Sequence, residues 1–230
     1  MDKLPPIVLL QKIMMYKEKS LDILLQIYLA WLRSATKSSS NSSGLVSIWD
    51  PTFFSFLAHK LNAGIVWMGH AHGWICRLRI LNMYIPYNNR KSFWELIKFS
   101  GILDFHSLIV AWDLNLTLDV GECWRYKVNP NPIAAFFTNL LNFKSLLYIA
   151  PNPICLTWIN GRLDVEGIWK QIDKFMVDSQ LSLRMKHLKS WTFFSNIYDL
   201  DAIILEWLDD LENIQLPFKF NKMWVNEPNF

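Results

Sequence analysis

Leu108-Ile-Val-Ala-Trp-Asp-Leu-Asn115 is the stretch on which the fold turns. Four apolar residues in a row, Leu108 to Ala111, predict a strand buried on both faces, as in the middle of a sheet. Asp113 and Asn115 follow at a spacing of two, which places both side chains on one side at the strand's C-terminal tip. Open α/β folds put their sites at that end of the sheet. An aspartate there can orient or deprotonate an attacking water, and an asparagine amide can hold phosphate oxygens. The same two residues can equally cap the turn that follows a strand.

Working outward, Trp74 to Tyr84 predicts a strand with one wet face, since Arg77 and Arg79 alternate with Leu78 and Ile80. Further strands are expected at Leu45 to Trp49, Ile65 to Met68, Leu156 to Trp158, Ile168 to Val177, Trp191 to Phe194 and Ala202 to Leu205. Helical spacing appears from about Ser20 to Arg33, from Lys91 to about Leu103 (Phe93, Leu96, Ile97), and over Ile133 to Leu141, with Pro132 near its start. Ser38 to Ser43 and Tyr87-Asn88-Asn89, after Pro86, are expected loops. Strands alternating with helices, several strands also meeting directly, imply mixed sheets flanked by helices in a layered α/β sandwich. No composition break divides the chain, so one domain is expected over 1–216, with 217–230 as a tail leading out of it.

Composition narrows the class. The chain has 230 residues, 52% of them hydrophobic and 19% charged, with a mean hydropathy of +0.14. The longest apolar stretches, Pro5 to Leu10 and Ile23 to Leu32, fall short of the roughly 18 uninterrupted residues a membrane span needs. The start carries no pattern of a secretory leader, so an intracellular protein, nuclear or cytoplasmic, is expected. Three widely spaced cysteines, Cys76, Cys123 and Cys155, argue against a disulfide framework and a structural zinc site. His70-x-His72 resembles a metal pair but lacks nearby carboxylates or cysteines. The aromatic excess fits core better than a base-stacking platform. Arg77, Arg79, Arg90, Lys91, Arg125 and Lys127 fit a scattered solvated surface better than a phosphate-facing rim. Eight glycines is few for a loop-rich catalytic domain.

Several segments, in order, resemble the endonuclease/exonuclease/phosphatase superfamily, nearest to the nuclease part of plant LINE-type (non-LTR) retroelement proteins. Pro6-Ile-Val-Leu-Leu-Gln11 is similar to P-D-I-x-x-L-Q-E, and Ser43-Gly-Leu-Val-Ser-Ile-Trp49 to S-G-G-L-x-x-x-W. Leu81-Asn-Met-Tyr-Ile-Pro86 resembles N-x-Y-x-P, and Val110-Ala-Trp-Asp-Leu-Asn115 resembles G-G-D-F-N. The likeness continues through Leu156-Thr-Trp158 (F-T-W), Ile168-Trp-Lys-Gln-Ile-Asp173 (I-x-x-R-L-D) and Ile197-Tyr-Asp-Leu200, which stands where the family has S-D-H. Pro217 to Trp224 is similar to the segment leading out of the nuclease.

The resemblance implies a DNase I-like fold and a Mg²⁺-dependent phosphodiesterase acting on nucleic acid, with DNA as partner and no small-molecule cofactor. It places Tyr84, Asp113, Asn115 and Asp173 in catalytic roles and Asp199 on the metal. Two positions depart. The glutamate of L-Q-E falls on Lys12, and the histidine of S-D-H falls on Leu200. An ammonium replaces a metal ligand, and an alkyl chain replaces a hydrogen-bonding group worth roughly 10²–10⁴ in rate. Trp112 stands where a glycine lets the backbone approach substrate, and the family's opening strand is expected ahead of Met1 and lacking here. The expectation is therefore a catalytically impaired domain with Mg²⁺ binding weakened or lost, the alternatives being a weakly active DNA endonuclease or a non-catalytic nucleic-acid-binding remnant. Oligomeric state is not legible.

Overall fold

The computed structural model describes residues 5–13, 30–36, 44–61, 64–74, 76–85, 90–125, 131–162, 166–193 and 202–208. The centre is a six-stranded sheet in the order β4-β5-β6-β7-β12-β9. Its strands are β4 (Phe54–Leu61), β5 (Gly64–Ala71), β6 (Arg77–Tyr84), β7 (Leu108–Asp113), β12 (Asp173–Asp178) and β9 (Leu146–Ile149). Only β6 and β7 run parallel; every other pair is antiparallel. All six residues of β7 are buried, as the run from Leu108 predicts for a strand covered on both faces.

Strand alternation divides the core in two. One face of β7 (Leu108, Val110, Trp112) packs with Trp94 and Ile97 of α1 (Arg90–Phe99) and Phe137 and Leu140 of α2 (Ala134–Phe143). The other face packs under a second β layer. That layer comprises a three-stranded sheet, β1 (Ile7–Ile13), β3 (Gly44–Trp49) and β2 (Leu32–Thr36) in the order β1-β3-β2, and a hairpin of β13 (Lys186–Phe193) and β14 (Ala202–Leu208). The remaining described elements are a small sheet of two-residue strands, β10 (Trp158–Ile159), β11 (Trp169–Lys170) and β8 (Cys123–Trp124), a 3-10 turn at Val120–Glu122 and a single helical turn, α3 (Ser179–Ser182). The architecture is a layered α/β sandwich of mixed sheets flanked by helices, as the sequence predicts.

Particular expectations need correction. Leu32 and Arg33, placed at the end of a helix, lie in β2; residues 14–29 are outside the described set, as are 37–43, 86–89 and 209–230. Leu96 is 62% exposed, and Trp94 takes the core position with Ile97. The single strand expected from Ile168 to Val177 is two, β11 and β12, broken at Gln171-Ile172. The strands β4 and β9 arise where none was expected. No described helix is long and apolar enough to cross a membrane.

Candidate functional site

Three strands carry three of the expected residues to one place. Tyr84 ends β6, Asp113 ends β7 and Asp173 begins β12. In the ladders Tyr84 lies opposite Asp113, and Asp173 lies opposite Asp113 from the other side. Residues paired this way put their side chains on the same face with backbones about 5 Å apart. Asp113 shares its parity with Ile109, so this is the face that meets the second β layer. Paired carboxyls with a phenol beside them are groups that can share a proton and donate to an anionic oxygen.

The second layer reaches the same spot through a polar bridge. Gln11 donates from Nε2 to Asn82 Oδ1 at 2.8 Å and to the Ala111 carbonyl at 3.0 Å. Asn82, 1% exposed, donates to Ser47 Oγ at 2.8 Å. Buried polar groups need partners, and this set satisfies itself across the two sheets. The β1–β3 register slips between Leu10 and Ile13, a bulge that falls on Gln11 and Lys12. Bulges of this kind re-aim side chains and are frequent beside active sites. The backbone of Lys12 thus enters next to Gln11, two residues of β7 short of Asp113; of Lys12 only the backbone falls among the described residues.

Asn115 sits in a left-handed conformation, φ 50°, where asparagine is among the few tolerated residues. Its backbone N–H donates to Asp113 Oδ1 at 2.9 Å, the turn-capping role weighed from sequence. Its amide Nδ2 donates to the Ile85 carbonyl at 2.7 Å, and Arg90, at the start of α1, donates to the Asn115 carbonyl at 2.8 Å. The amide expected to hold phosphate oxygens is thus bonded to backbone, and Asp113 is 2% exposed. Thr157, 1% exposed, accepts at Oγ1 from the backbone N–H groups of Ile172 (2.9 Å) and Asp173 (3.2 Å), pinning the start of β12.

Trp112 corrects a second expectation. It faces away from Asp113, 1% exposed, with its ring centroid 5.1 Å from that of Trp94 and 5.4 Å from that of Phe137. It fills core and does not obstruct the site. Arg77 and Arg79 lie at the opposite end of β6 from Tyr84, and Arg79 bonds the His106 carbonyl and covers the Phe105 ring, as a scattered surface requires. Arg90 reaches the site through its bond to the Asn115 carbonyl. His70 pairs with Arg77 in the ladder, and His72 Nδ1 lies 2.7 Å from the Thr52 carbonyl oxygen. Asp199 and Leu200 lie outside the described residues.

Behind the acids, on the helix-facing side, lies a charged cluster that the motif reading missed. Lys174, which follows Asp173, is fully buried and pairs with Glu122 Oε1 at 2.7 Å. Lys174 Nζ also donates to the Gln171 carbonyl at 3.1 Å, and the Tyr148 hydroxyl donates to Gln171 Oε1 at 2.8 Å. Burial lowers the lysine's proton affinity below its usual value, against the pull of the Glu122 charge. Burial, and then the Glu122 charge, raise that of the Tyr148 phenol. The alternation that hides Lys174 from the site was in the sequence, but nothing there marked Glu122 as its partner.

Asp199, the residue expected on a metal, lies outside the described residues. Among the described residues no three His, Cys, Asp or Glu side chains gather as a metal site, and an oxygen of Asp113 is already engaged.

The fold has clear relatives among solved structures. The endonuclease domain of TRAS1, a telomere-specific non-LTR retrotransposon, superposes with a TM-score of 0.65 at 11% identity over 88% of this chain and 98% of that domain. The AP endonuclease LMAP from Leishmania major gives 0.65 at 11% identity, covering 89% and 78%. A humanized D. rerio TDP2 gives 0.59 at 11% identity, covering 89% and 86%. The chain therefore has the DNase I-like fold that these solved structures share. No protein-family model and no curated protein matches it.

Proposed function

We propose that this chain is a degenerate phosphodiesterase domain, endonuclease-like and of retroelement origin, that has lost efficient turnover. The observation that carries the reading is the alignment of Tyr84, Asp113 and Asp173 side by side across three strands, at the end of the sheet where the motifs place a phosphate site. The likeness to a retrotransposon endonuclease domain over nearly its whole length supports the origin, together with the ordered LINE-type motifs. Impairment rests on Lys12 and Leu200 at two essential positions and on the closure of Asp113 and Asn115 into backbone bonds. With an ammonium for a carboxylate, the ancestral Mg²⁺ is not a component of this domain's chemistry. What its own residues retain is a pair of acids and a phenol on one face, with Arg90 bonded to the Asn115 carbonyl beside them. DNA is the partner to test, since TDP2 of D. rerio is complexed with a single-stranded DNA product.

Plasmid nicking in magnesium buffer tests this directly. No cleavage above a buffer blank is expected, together with weak, salt-dependent DNA association by fluorescence anisotropy. Magnesium-dependent nicking that vanishes in Asp113→Ala would establish instead a weakly active endonuclease. The double substitution Lys12→Glu, Leu200→His should gain Mg²⁺ binding by calorimetry. No gain would break the alignment of those two positions.

A further inference from the structure

The Glu122–Lys174 pair lies beneath the acids on the helix-facing side, and its bonds run to the two segments that carry them. Glu122 Oε2 accepts from the Leu118 N–H at 2.6 Å, in the loop that continues from Asn115. The Glu122 carbonyl accepts from the Gln171 N–H at 3.0 Å, just ahead of β12. Gln171 in turn donates from Nε2 to the Asp173 carbonyl at 3.3 Å, and Lys174 bonds the Gln171 carbonyl. Both charges are buried, at 5% and 0% side-chain exposure, so neither has water as an alternative partner. A buried ion pair adds little net stability compared with apolar residues of the same shape, because desolvation offsets the attraction. Its directional bonds do fix geometry.

From these contacts we infer that Lys174 and Glu122 are positioning residues, a clamp that holds the loop after β7 against the start of β12 and so keeps Asp113, Asn115 and Asp173 in their mutual register. The inference rests on the reading of those three residues as the site. It assigns the pair no contact with a ligand.

Two amide protons report the register: that of Asn115, accepted by Asp113 Oδ1, and that of Asp173, accepted by Thr157 Oγ1. Hydrogen exchange followed by NMR is measured on the ligand-free chain and on Glu122→Gln, Lys174→Met, which removes both charges and keeps shape. The expected result is at least about a tenfold loss of protection at Asn115 and Asp173, with Ile80 and Val110 in mid-sheet within about twofold. Lys174→Arg should retain protection at all four. Unchanged protection at the two site amides, or a loss spread evenly over the sheet, would overturn the clamp. Should the double variant fail to fold, Tyr148→Phe, which deletes one hydroxyl from the same cluster, carries the test: selective loss at Asp173 supports the inference and none refutes it. No nucleic acid enters the measurement, so a chain that binds no DNA fails the functional reading and leaves this result standing.

Discussion

Replacing Trp112 by glycine would restore the residue that the motif calls for, and the structure predicts that it would cripple the protein. Trp112 is 1% exposed and its ring meets those of Trp94 and Phe137 at 5.1 and 5.4 Å between centroids. Truncating a buried aromatic costs about 3–5 kcal/mol through lost burial and the cavity left behind. Glycine within a strand adds roughly 0.5–1 kcal/mol of backbone entropy. The sum, about 4–6 kcal/mol, rivals the whole stability of a marginal domain, about 5–15 kcal/mol. In urea, at a slope of about 2–3 kcal/mol/M, the midpoint should fall by roughly 1.5–3 M. Trp112→Phe is the control. The indole Nε1 of Trp112 is buried without a hydrogen-bond partner, so losing it relieves a desolvated donor while the ring stays. A change within about 1 kcal/mol is expected. A Trp112→Gly protein within about 1 kcal/mol of the parent would refute the placement of this side chain in the core and return it to the site.

Asn82→Ala removes the hub that joins Gln11 to Ser47 and leaves buried polar groups without partners. About 2–3 kcal/mol should be lost, seen as a fall of roughly 5–10 °C in Tm by circular dichroism. Asn115→Gly should cost about 1 kcal/mol in urea unfolding, through the lost bond to the Ile85 carbonyl, since glycine itself accepts the φ of 50° freely, whereas Asn115→Val, which loses that bond and strains the backbone, should cost at least about 2 kcal/mol. Tyr148 holds its phenolic proton more tightly in the folded chain than the ordinary value of 10.0. The unfolded chain therefore releases that proton first, so this contribution is intact below pH 10 and declines as pH rises beyond it. Lys174, lowered by burial, tilts the curve the other way below its usual value of 10.5. The quantity to measure is thus the difference between parent and Tyr148→Phe midpoints from about pH 8 to about pH 11, and a difference that does not change with pH would refute the assignment.

What the sequence disclosed, and what it hid, follow from the range of the interactions involved. The run Leu108 to Ala111 announced a central strand because burial on both faces leaves no polar alternation. The convergence of Tyr84, Asp113 and Asp173 was reachable because each ends or begins a strand, and strand ends share an edge. The strand β4 was missed since Ser55, His59 and Lys60 dilute its pattern, as expected of an edge strand. The direction of Trp112 was legible in principle from its parity with Val110, but motif comparison drew attention to its size instead of its face. The Glu122–Lys174 pair could not be found: its partners stand 52 positions apart with no local signal.

Two of the expected site residues also serve the fold. Asp113 caps the turn after β7, and Asn115 occupies a backbone conformation few residues accept. Each has a structural task that persists whether or not a phosphate ester is ever cleaved. Selection for folding alone would hold them in place. A carboxylate at position 12 would have a different standing, since a metal ligand without its metal adds only repulsion beside neighbouring acids. Surviving acids in a clustered site are therefore weak testimony for surviving chemistry.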